Sequence, residues 1–576
     1  MSEAPHPTPT RSGVPRRLSD FDTLRDALDY AATSACGLNF FDARAANPRV
    51  QTYVDLKSDA ESNARRLIAM GATPGDRVAL IAETGPEFVA AFFGCALAGV
   101  LPVPLPLPTS FGGREGYIEQ IRNQLSSSDP MLAIAPDALT EFVAEAAKPL
   151  GEITTFGWSD FAAKPAPDAP LHDASPDDIA YLQYSSGSTR FPHGVEVTHR
   201  ALLANLNGHS VSVDLKPEDR VISWLPFYHD MGLVGCLLSP IANQVSADYL
   251  ATEDFARRPL SWLTLISRHA GTALSYSPTF GYDICARRVS SQTDVGGKFD
   301  LSRWRVAGNG ADMIRPGVMR EFAETFSPAG FDPCAFMPSY GLAEATLAVT
   351  MAKPGTGIEV DEVDERLLSG GEAMAGEKRT RKIVNCGVAL PDMEIEIRDE
   401  DDNVLPDRAI GRVLTRGPSI MTGYFRDTEA TEACLNDGWL DTGDMGYLKD
   451  GAIYIVGRAK DMIIVNGKNH WPQDIEWAIE QLPGFKSGDI AAFAVTTPEG
   501  EESPAVLVQC RTSDADERAA LVDAIKTRIK TLTGMSCVVE LVPPRTLPRT
   551  SSGKLSRSKA RALYLSGEIQ PLAVAA

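Results

Sequence analysis

Residues 184–195 read Tyr-Ser-Ser-Gly-Ser-Thr-Arg-Phe-Pro-His-Gly-Val, with Ser185, Ser186, Gly187, Ser188 and Thr189 in a row and a guanidinium next at Arg190. An apolar run, Ile179 to Leu182, leads in, and Val195-Glu196-Val197 leads out. Thr198 is placed to cap a helix through Leu202, Leu203 and Leu206. The hydroxylated run therefore sits on a turn between two predicted strands. Backbone N–H groups and hydroxyls in such a turn form a concave array that suits oxyanions such as phosphate. Short Ser/Gly runs are also common in plain surface loops, so this one gains meaning only if the chain supplies partners for it.

Candidate partners recur in order along the chain: LPFYHDMGL (225–233), GNGAD (308–312), PSYGLAEAT (338–346), GRVLTRGPSIMTGYF (411–425), WLDTGD (439–444), GRAKDMIIVNGKNHWPQDIE (457–476) and LPRTSSGKLSR (547–557). Lys554 stands out, because no acidic residue lies between Val542 and Gly567. A point charge on a long stem suits an anionic substrate. Asp444 follows a Thr-Gly turn, where an ordinary Asx turn is the competing explanation. Familiar alternatives are missing. The sequence has no GxxxxGK[ST] loop, no HExxH and no Cys/His cluster at metal spacing. Gly308-Asn309-Gly310 lacks the third glycine of a dinucleotide fingerprint.

Elements must then hold these stretches together. With 576 residues the chain exceeds one core, so two or more domains are expected. Its 44% hydrophobic and 23% charged content is that of a globular protein. The net charge of −21 argues against general nucleic-acid or anionic-membrane binding and requires any nucleotide site to be locally basic. Nine scattered cysteines without CxxC indicate reduced thiols and a cytoplasmic setting. The N-terminus has no apolar signal region and reads as a flexible tail. Phe88 to Gly113 carries no charge, but Gly99 and the prolines at 102, 104, 106 and 108 break it, predicting a buried helix over 86–98, a short strand and a turn rather than a membrane span.

Through residue 450, helical patterns (55–70, 116–125) alternate with apolar runs (77–81, 132–135, 221–225, 273–276), the pattern of α/β folds with largely parallel sheets. The last 120 residues or so predict an α-β-β-α-β unit: a helix with Ile475, Ile479 and Leu482 on one face, strands at 490–495 and 505–509, a helix marked by Leu521, Ile525, Ile529 and Leu532, and a strand at 537–542.

The order and spacing of these stretches resemble the core motifs of the adenylate-forming (AMP-binding) superfamily, over about Phe21 to Leu565. SWLPFYHDMGL, SPTFGYDICARR, LSRWRVAGNGAD, YGLAEATLAV, NGKNHWPQDIE and RTSSGKLSR look like fatty acyl-AMP ligases in particular, and residues 352–383 look like the insertion that separates these from acyl-CoA ligases. The resemblance implies an α/β fold: a large N-terminal adenylate-forming domain (21–457) with mixed sheets flanked by helices, after a tail at 1–20, then a hinge at 458–461 and a small mobile α+β C-terminal domain (462–576). It implies ATP and Mg²⁺ as cofactors, a free fatty acid as substrate, and transfer of the acyl group to a holo-acyl carrier protein supplied in trans, without integral membrane association.

By the same resemblance, Ser185–Thr189 cradle the β/γ-phosphates, Glu344 ligates Mg²⁺ and Tyr340, beside Gly341, stacks on adenine. Gly310 and Ala311 let the backbone approach the base. Asp444 accepts the ribose hydroxyls, Arg458 contacts ribose or phosphate, and His229 lies near the substrate carboxylate. Lys554 bridges that carboxylate and the α-phosphate, and Lys460 is the hinge. Core packing for Tyr340 and a structural role for His229 stay open. The sequence departs from the family's usual STGxPKGV loop: Arg190 replaces the glycine and His193 the lysine, and Arg190 either supplies a fork to pyrophosphate or restricts the loop. Three other readings compete: a long-chain acyl-CoA ligase, a silent acyl-nucleotide binder, and a surface binder using the basic run 545–561. Within the insertion, Ile358, Val360, Val363, Leu367 and Leu368 are expected to pack it down, and Arg545, Arg549, Lys554, Arg557, Lys559 and Arg561 to form a landing surface for an acidic carrier.

Overall fold

The computed structural model describes residues 15–108, 113–151, 153–184, 193–289, 293–368, 370–376, 380–465, 468–486, 488–496, 502–534, 536–550 and 554–573. Two sheets carry most of the N-terminal part. The smaller has four parallel strands in the order Leu101–Leu105, Arg77–Ile81, Leu132–Ala135, Thr154–Gly157. Pro102 and Pro104 fall on its edge strand, where a missing N–H does least harm to the ladder. The uncharged stretch forms the buried helix Pro86–Ala98, opened by Pro86 and ended by Gly99 in the left-handed conformation (φ 73°). No helix among the described residues is long and apolar enough to cross a membrane.

The larger sheet has nine strands. Its centre is parallel, in the spatial order Phe336–Gly341, Trp304–Asn309, Thr272–Ser277, Asp219–Ser223, Ala247–Leu250, Gly37–Phe41, and its outer strands are antiparallel. In α/β sheets the carboxyl ends of parallel strands open onto the ligand crevice. Here four neighbouring strands end just before residues 225–230, Thr279, 310–312 and 342–344. Ile179–Tyr184 and Gly194–Thr198, the strands expected to flank the hydroxylated run, pair antiparallel, and Thr198 caps His199–Ser212 by accepting from the Ala201 N–H.

Residues 394–458 depart from the alternating α/β expectation. They build an antiparallel five-stranded sheet from Glu394–Arg398, Gly411–Arg416, Leu435–Asn436, Trp439–Lys449 and Ala452–Arg458. Two Asp-Gly turns with positive φ, at Asp437-Gly438 and Asp450-Gly451, join its hairpins and were the signal in the sequence.

The C-terminal unit is a three-stranded sheet, Ile490–Thr496 antiparallel to Glu502–Gln509, which is parallel to Val538–Val542. Strand alternation serves two faces. Ile490 and Ala492 meet Ile475, Ile479, Val522, Ile525 and Ile529 of the helices Pro472–Glu480 and Ala515–Thr533. Ala491, Phe493 and Val495 meet Ala560, Leu563 and Tyr564 of Arg557–Leu565. That last helix extends the expected α-β-β-α-β order.

The insertion contributes a hairpin, Val360–Asp364 with Thr380–Val384. Val363, Leu368 and Ile383 are buried with Tyr447, Tyr454, Val456 and Trp471, whereas Val360 and Leu367 are exposed, contrary to expectation. Trp471 opens the C-terminal unit's first helix, so the insertion packs on both units. Two ion pairs bracket that helix: Arg381 with Asp474 (3.0 Å) near its start, and Arg315 with Glu480 (2.8 Å) at its end.

Burial pushes the Asp474 carboxyl up to about 6, against the pull of Arg381. A raised carboxyl means that the folded state binds a proton the unfolded chain has already released, so the charged form weakens the fold as pH rises through about 6. Asp474→Asn should therefore raise thermal stability at pH 7.5, and the gain should shrink toward pH 5, where the wild-type carboxyl is protonated. A variant less stable at pH 7.5 that recovers at pH 5 would show the opposite sign.

Candidate active site

The strand ends gather the predicted residues. Asp444 and Arg458 face each other across the antiparallel pair Trp439–Lys449 and Ala452–Arg458. Arg458 Nε lies 3.1 Å from Asp444 Oδ1, and Tyr340 Oη donates to Asp444 Oδ2 at 2.8 Å. Asp444 is buried, while the Arg458 side chain remains 59% exposed. Burial raises the Asp444 carboxyl despite Arg458, and the nearby Asp444 charge raises the Arg458 guanidinium. Thr442 Oγ1 and Asp441 Oδ1 accept from the amides of Asp444 and Gly443, which fixes the turn. Tyr340, left open between base stacking and core packing, is thus an oriented hydrogen-bond donor at the crevice.

Tyr340 and Gly341 end a parallel strand and pair back on Ala348–Met351 through an irregularity. A Cβ on Gly341 would sit 1.8 Å from the Leu347 carbonyl oxygen, so only glycine allows this approach. One turn later Glu344 is partly buried. Tyr424 Oη donates to its Oε1 at 2.9 Å, and the Met421 N–H donates to its backbone carbonyl, also at 2.9 Å. Burial raises its carboxyl. Among the described residues no cation stands within ion-pair distance of it. The neighbouring strand ends at Gly310, where a Cβ would meet Ser339 Oγ at 2.8 Å, and at Ala311, held at φ 67°. A non-glycine residue there is strained, and such outliers gather at functional sites.

His229 and Asp230 lie at the next strand end. His229 Nδ1 is 2.6 Å from Asp230 Oδ1, which fixes the ring by its inner nitrogen. Asp230 also accepts from the Met231 amide and opens a π-helix, Met231–Leu238. Burial pushes the Asp230 carboxyl up, but His229, Lys554 and that amide outweigh it and hold it low. Asp312 accepts from the Thr279 N–H at 3.0 Å and is raised by burial.

Lys554 enters this group from the C-terminal unit. Thr550 and Lys554 exchange two hydrogen bonds, Thr550 N–H to Lys554 O (2.7 Å) and Lys554 N–H to Thr550 Oγ1 (3.2 Å). Burial lowers its ammonium, while Asp312, Asp230 and Asp444 are near enough to raise it. Asp230 and Asp312 were not singled out as site residues in the sequence, although both lie inside quoted motifs.

Ser185, Ser186, Gly187, Ser188, Thr189 and Arg190 lie outside the described residues. His193, at the end of the loop, pairs with Asp427 (3.0 Å) and packs on Tyr424 with ring centroids 4.9 Å apart. Its imidazole is therefore engaged within the protein at the position of the family's lysine. Lys460 is exposed in a single 3₁₀ turn, Ala459–Asp461. The expected basic landing surface is only partly present. Arg545, Lys559 and Arg561 are exposed, whereas Arg557 turns inward to Glu476 (2.7 and 2.8 Å) and Asp461 (3.1 Å) and Arg549 donates to the Gly488 carbonyl.

Among the described residues no group of three or more His, Cys, Asp or Glu side chains is arranged to hold a metal. Mg²⁺ usually binds one or two carboxylates together with substrate phosphates rather than an all-protein cage. Glu344, a hard oxygen donor with no ion-pair partner among the described residues, fits such a role.

Gly341→Ala should cost about 1–3 kcal/mol or more by overpacking, read as a lower denaturation midpoint; an unchanged midpoint would mean that the Leu347 carbonyl moves aside freely.

Comparison with known proteins agrees with this architecture. The family model for AMP-binding enzymes matches residues 34–425. A Caulobacter vibrioides protein, named provisionally as an acyl-CoA synthetase, is 48% identical over 97% of this chain and 98% of its own. A Moorena producens protein named as a medium-chain-fatty-acid–[acyl-carrier-protein] ligase is 31% identical over 96% of each. A solved structure from work on the fatty acyl-adenylate ligases of E. coli and L. pneumophila superposes with a TM-score of 0.92 at 46% identity, covering 96% of this chain and 100% of that one. With the site's strand-end geometry and this similarity across nearly its whole length, the chain belongs to the AMP-binding, adenylate-forming enzymes and, within them, to the fatty acyl-AMP ligases.

Proposed function

We propose that this enzyme activates a free fatty acid with ATP to acyl-AMP and then transfers the acyl group to the phosphopantetheine thiol of a separate acyl carrier protein. In the first step a carboxylate oxygen attacks the α-phosphorus and the bond to pyrophosphate breaks. In the second the thiol attacks the acyl carbon and AMP leaves. The observation that carries the reading is the convergence of Lys554, from the C-terminal unit, on a crevice whose rim holds the Asp444–Arg458–Tyr340 cluster and Glu344.

The roles follow from chemistry. Bringing two anions together needs a preorganised cation, and Lys554 supplies it between carboxylate and α-phosphate. Asp444, its Oδ atoms already oriented by Tyr340 and Arg458, accepts the ribose hydroxyls. Gly310 and Ala311 let the backbone approach adenine beside Tyr340 and Gly341. Ser185–Thr189 and Arg190 hold the outer phosphates, and His229, fixed by Asp230, faces the carboxylate. Glu344 holds Mg²⁺, which when bound neutralises phosphate charge. Between the steps the C-terminal unit turns about Lys460, at the 458–461 boundary.

The carrier as acceptor is supported by the Moorena relative's name and by the insertion, which packs against Trp471 and binds Asp474 through Arg381, restraining the unit that must turn. The name of the Caulobacter relative favours a second reading, an acyl-CoA ligase.

ATP–pyrophosphate exchange across a chain-length series of fatty acids tests the first step. Lys554→Ala should lower the rate by roughly 10²–10³ with the thermal midpoint unchanged; near-wild-type exchange in the folded variant would remove Lys554 from the chemistry. For the second step, supplying CoA or holo-carrier protein to the same reaction should give acyl-carrier and little acyl-CoA. Efficient acyl-CoA synthesis with no transfer to any carrier would establish the second reading instead.

A further inference from the structure

Tyr424 joins two parts of the site that are far apart in sequence. Its hydroxyl donates to Glu344 Oε1 at 2.9 Å, and its ring packs on His193 at the exit of the phosphate loop. The backbone around it is stitched to both partners. On one side the Met421 N–H donates to the Glu344 carbonyl at 2.9 Å. On the other, the Glu196 N–H donates to Gly423 O at 3.0 Å and the Phe425 N–H to Gly194 O at 2.7 Å, with Val195 and Tyr424 forming a bridge between them. The Tyr424 N–H itself donates to Thr431 Oγ1 at 2.9 Å. Asp427, which holds His193, caps the helix Thr428–Cys434 that carries Thr431. Cys434 of the same helix sets its sulfur against the Tyr424 hydroxyl. The phenol therefore has few other positions open to it.

We propose that Tyr424 is a positioning residue for Glu344: by engaging Oε1 it turns Oε2 outward as a single-oxygen ligand for a divalent cation and fixes that ligand relative to the loop that grips pyrophosphate. The inference rests on the reading of Glu344 as a metal ligand. Two features single out Tyr424 for this work. Glu344 has no ion-pair partner among the described residues, so its orientation depends on hydrogen bonds, and Tyr424 supplies one at 2.9 Å. A cation held by one protein carboxylate and substrate oxygens has little else from the protein to set its place, so an error in the carboxylate's orientation passes directly to the phosphates.

The test uses Tyr424→Phe, which keeps the ring against His193 and removes one oxygen, beside Glu344→Ala and the double variant. Binding is read by electron paramagnetic resonance with Mn²⁺ and pyrophosphate, and turnover by ATP–pyrophosphate exchange. Loss of a hydrogen bond to a charged group predicts about tenfold weaker Mn²⁺ binding and about a tenfold higher Mg²⁺ requirement in Tyr424→Phe. The thermal midpoint and the KM for fatty acid should not change, and the double variant should bind Mn²⁺ no more weakly than Glu344→Ala. If Glu344→Ala weakens Mn²⁺ binding and Tyr424→Phe does not, Tyr424 has no positioning role and the metal reading stands. If Glu344→Ala binds Mn²⁺ like the wild type, the metal reading falls and this inference with it. A fatty acid KM that rises in step with the Mg²⁺ requirement would show general loss of site structure and also overturn the proposal.

Discussion

Four carboxylates, Asp230, Asp312, Glu344 and Asp444, are desolvated around one crevice, and the architecture of the site follows from keeping them there. An isolated buried carboxylate is costly unless charges or hydrogen bonds compensate it. Each has its own donor: the Met231 amide and His229 for Asp230, the Thr279 amide for Asp312, the Tyr424 hydroxyl for Glu344, and Tyr340 with Arg458 for Asp444. Only Asp230 is held below its ordinary range; burial wins at the other three. The crevice thus contains negative charge that is oriented but incompletely neutralised, and Lys554 is placed in its field.

Such a site cannot be made from one segment. Asp230, Asp312 and Glu344 follow strand ends that the parallel sheet sets side by side, Asp444 and Arg458 come from the antiparallel sheet at 394–458, and the ammonium of Lys554 comes from a separate unit. Arg381–Asp474 and Arg315–Glu480 hold the two ends of the helix Pro472–Glu480, and Trp477 lies under the Arg315 guanidinium at 5.5 Å. These contacts orient the C-terminal unit as Lys554 reaches the crevice. Arg381 belongs to the insertion and Arg315 to the main sheet's flank, so the orientation depends on two independent attachments.

Much of this was legible in the sequence where the signal is local. Pro86 and Gly99 bound a helix, Thr198 caps one, and Ile490 to Val495 alternates as a strand buried on both faces. Candidate site residues such as Lys554, Glu344 and Asp444 could be named because each lies in a short stretch whose order along the chain is distinctive, whereas Asp230 and Asp312 went unnamed inside such stretches. Pairing was not legible. Nothing local to Asp444 says that Tyr340, 104 residues earlier, donates to it, or that Tyr424 reaches back to Glu344. The basic run at 545–561 was only partly legible because charge counts do not show direction: Arg557 neutralises Glu476 and Asp461 inside the unit, while Arg545, Lys559 and Arg561 are exposed. The antiparallel sheet at 394–458 was under-read because its strands carry exposed charges, and its Asp-Gly turns were the better guide.

The replacement of the phosphate loop's usual lysine by His193 looks, in sequence, like a lost cation. In the fold His193 is bound to Asp427 and packed on Tyr424, so the position contributes placement of the loop's exit rather than free charge. A lysine there would leave Asp427 to a flexible stem and Tyr424 without its aromatic neighbour. Among the described residues, the fields of Lys554 and Arg458 reach the buried carboxylates, and Lys554 comes from the C-terminal unit. In a chain of net charge −21, that ammonium offsets part of the negative charge the crevice holds, so the pull of the crevice on an anion depends on where the C-terminal unit places Lys554.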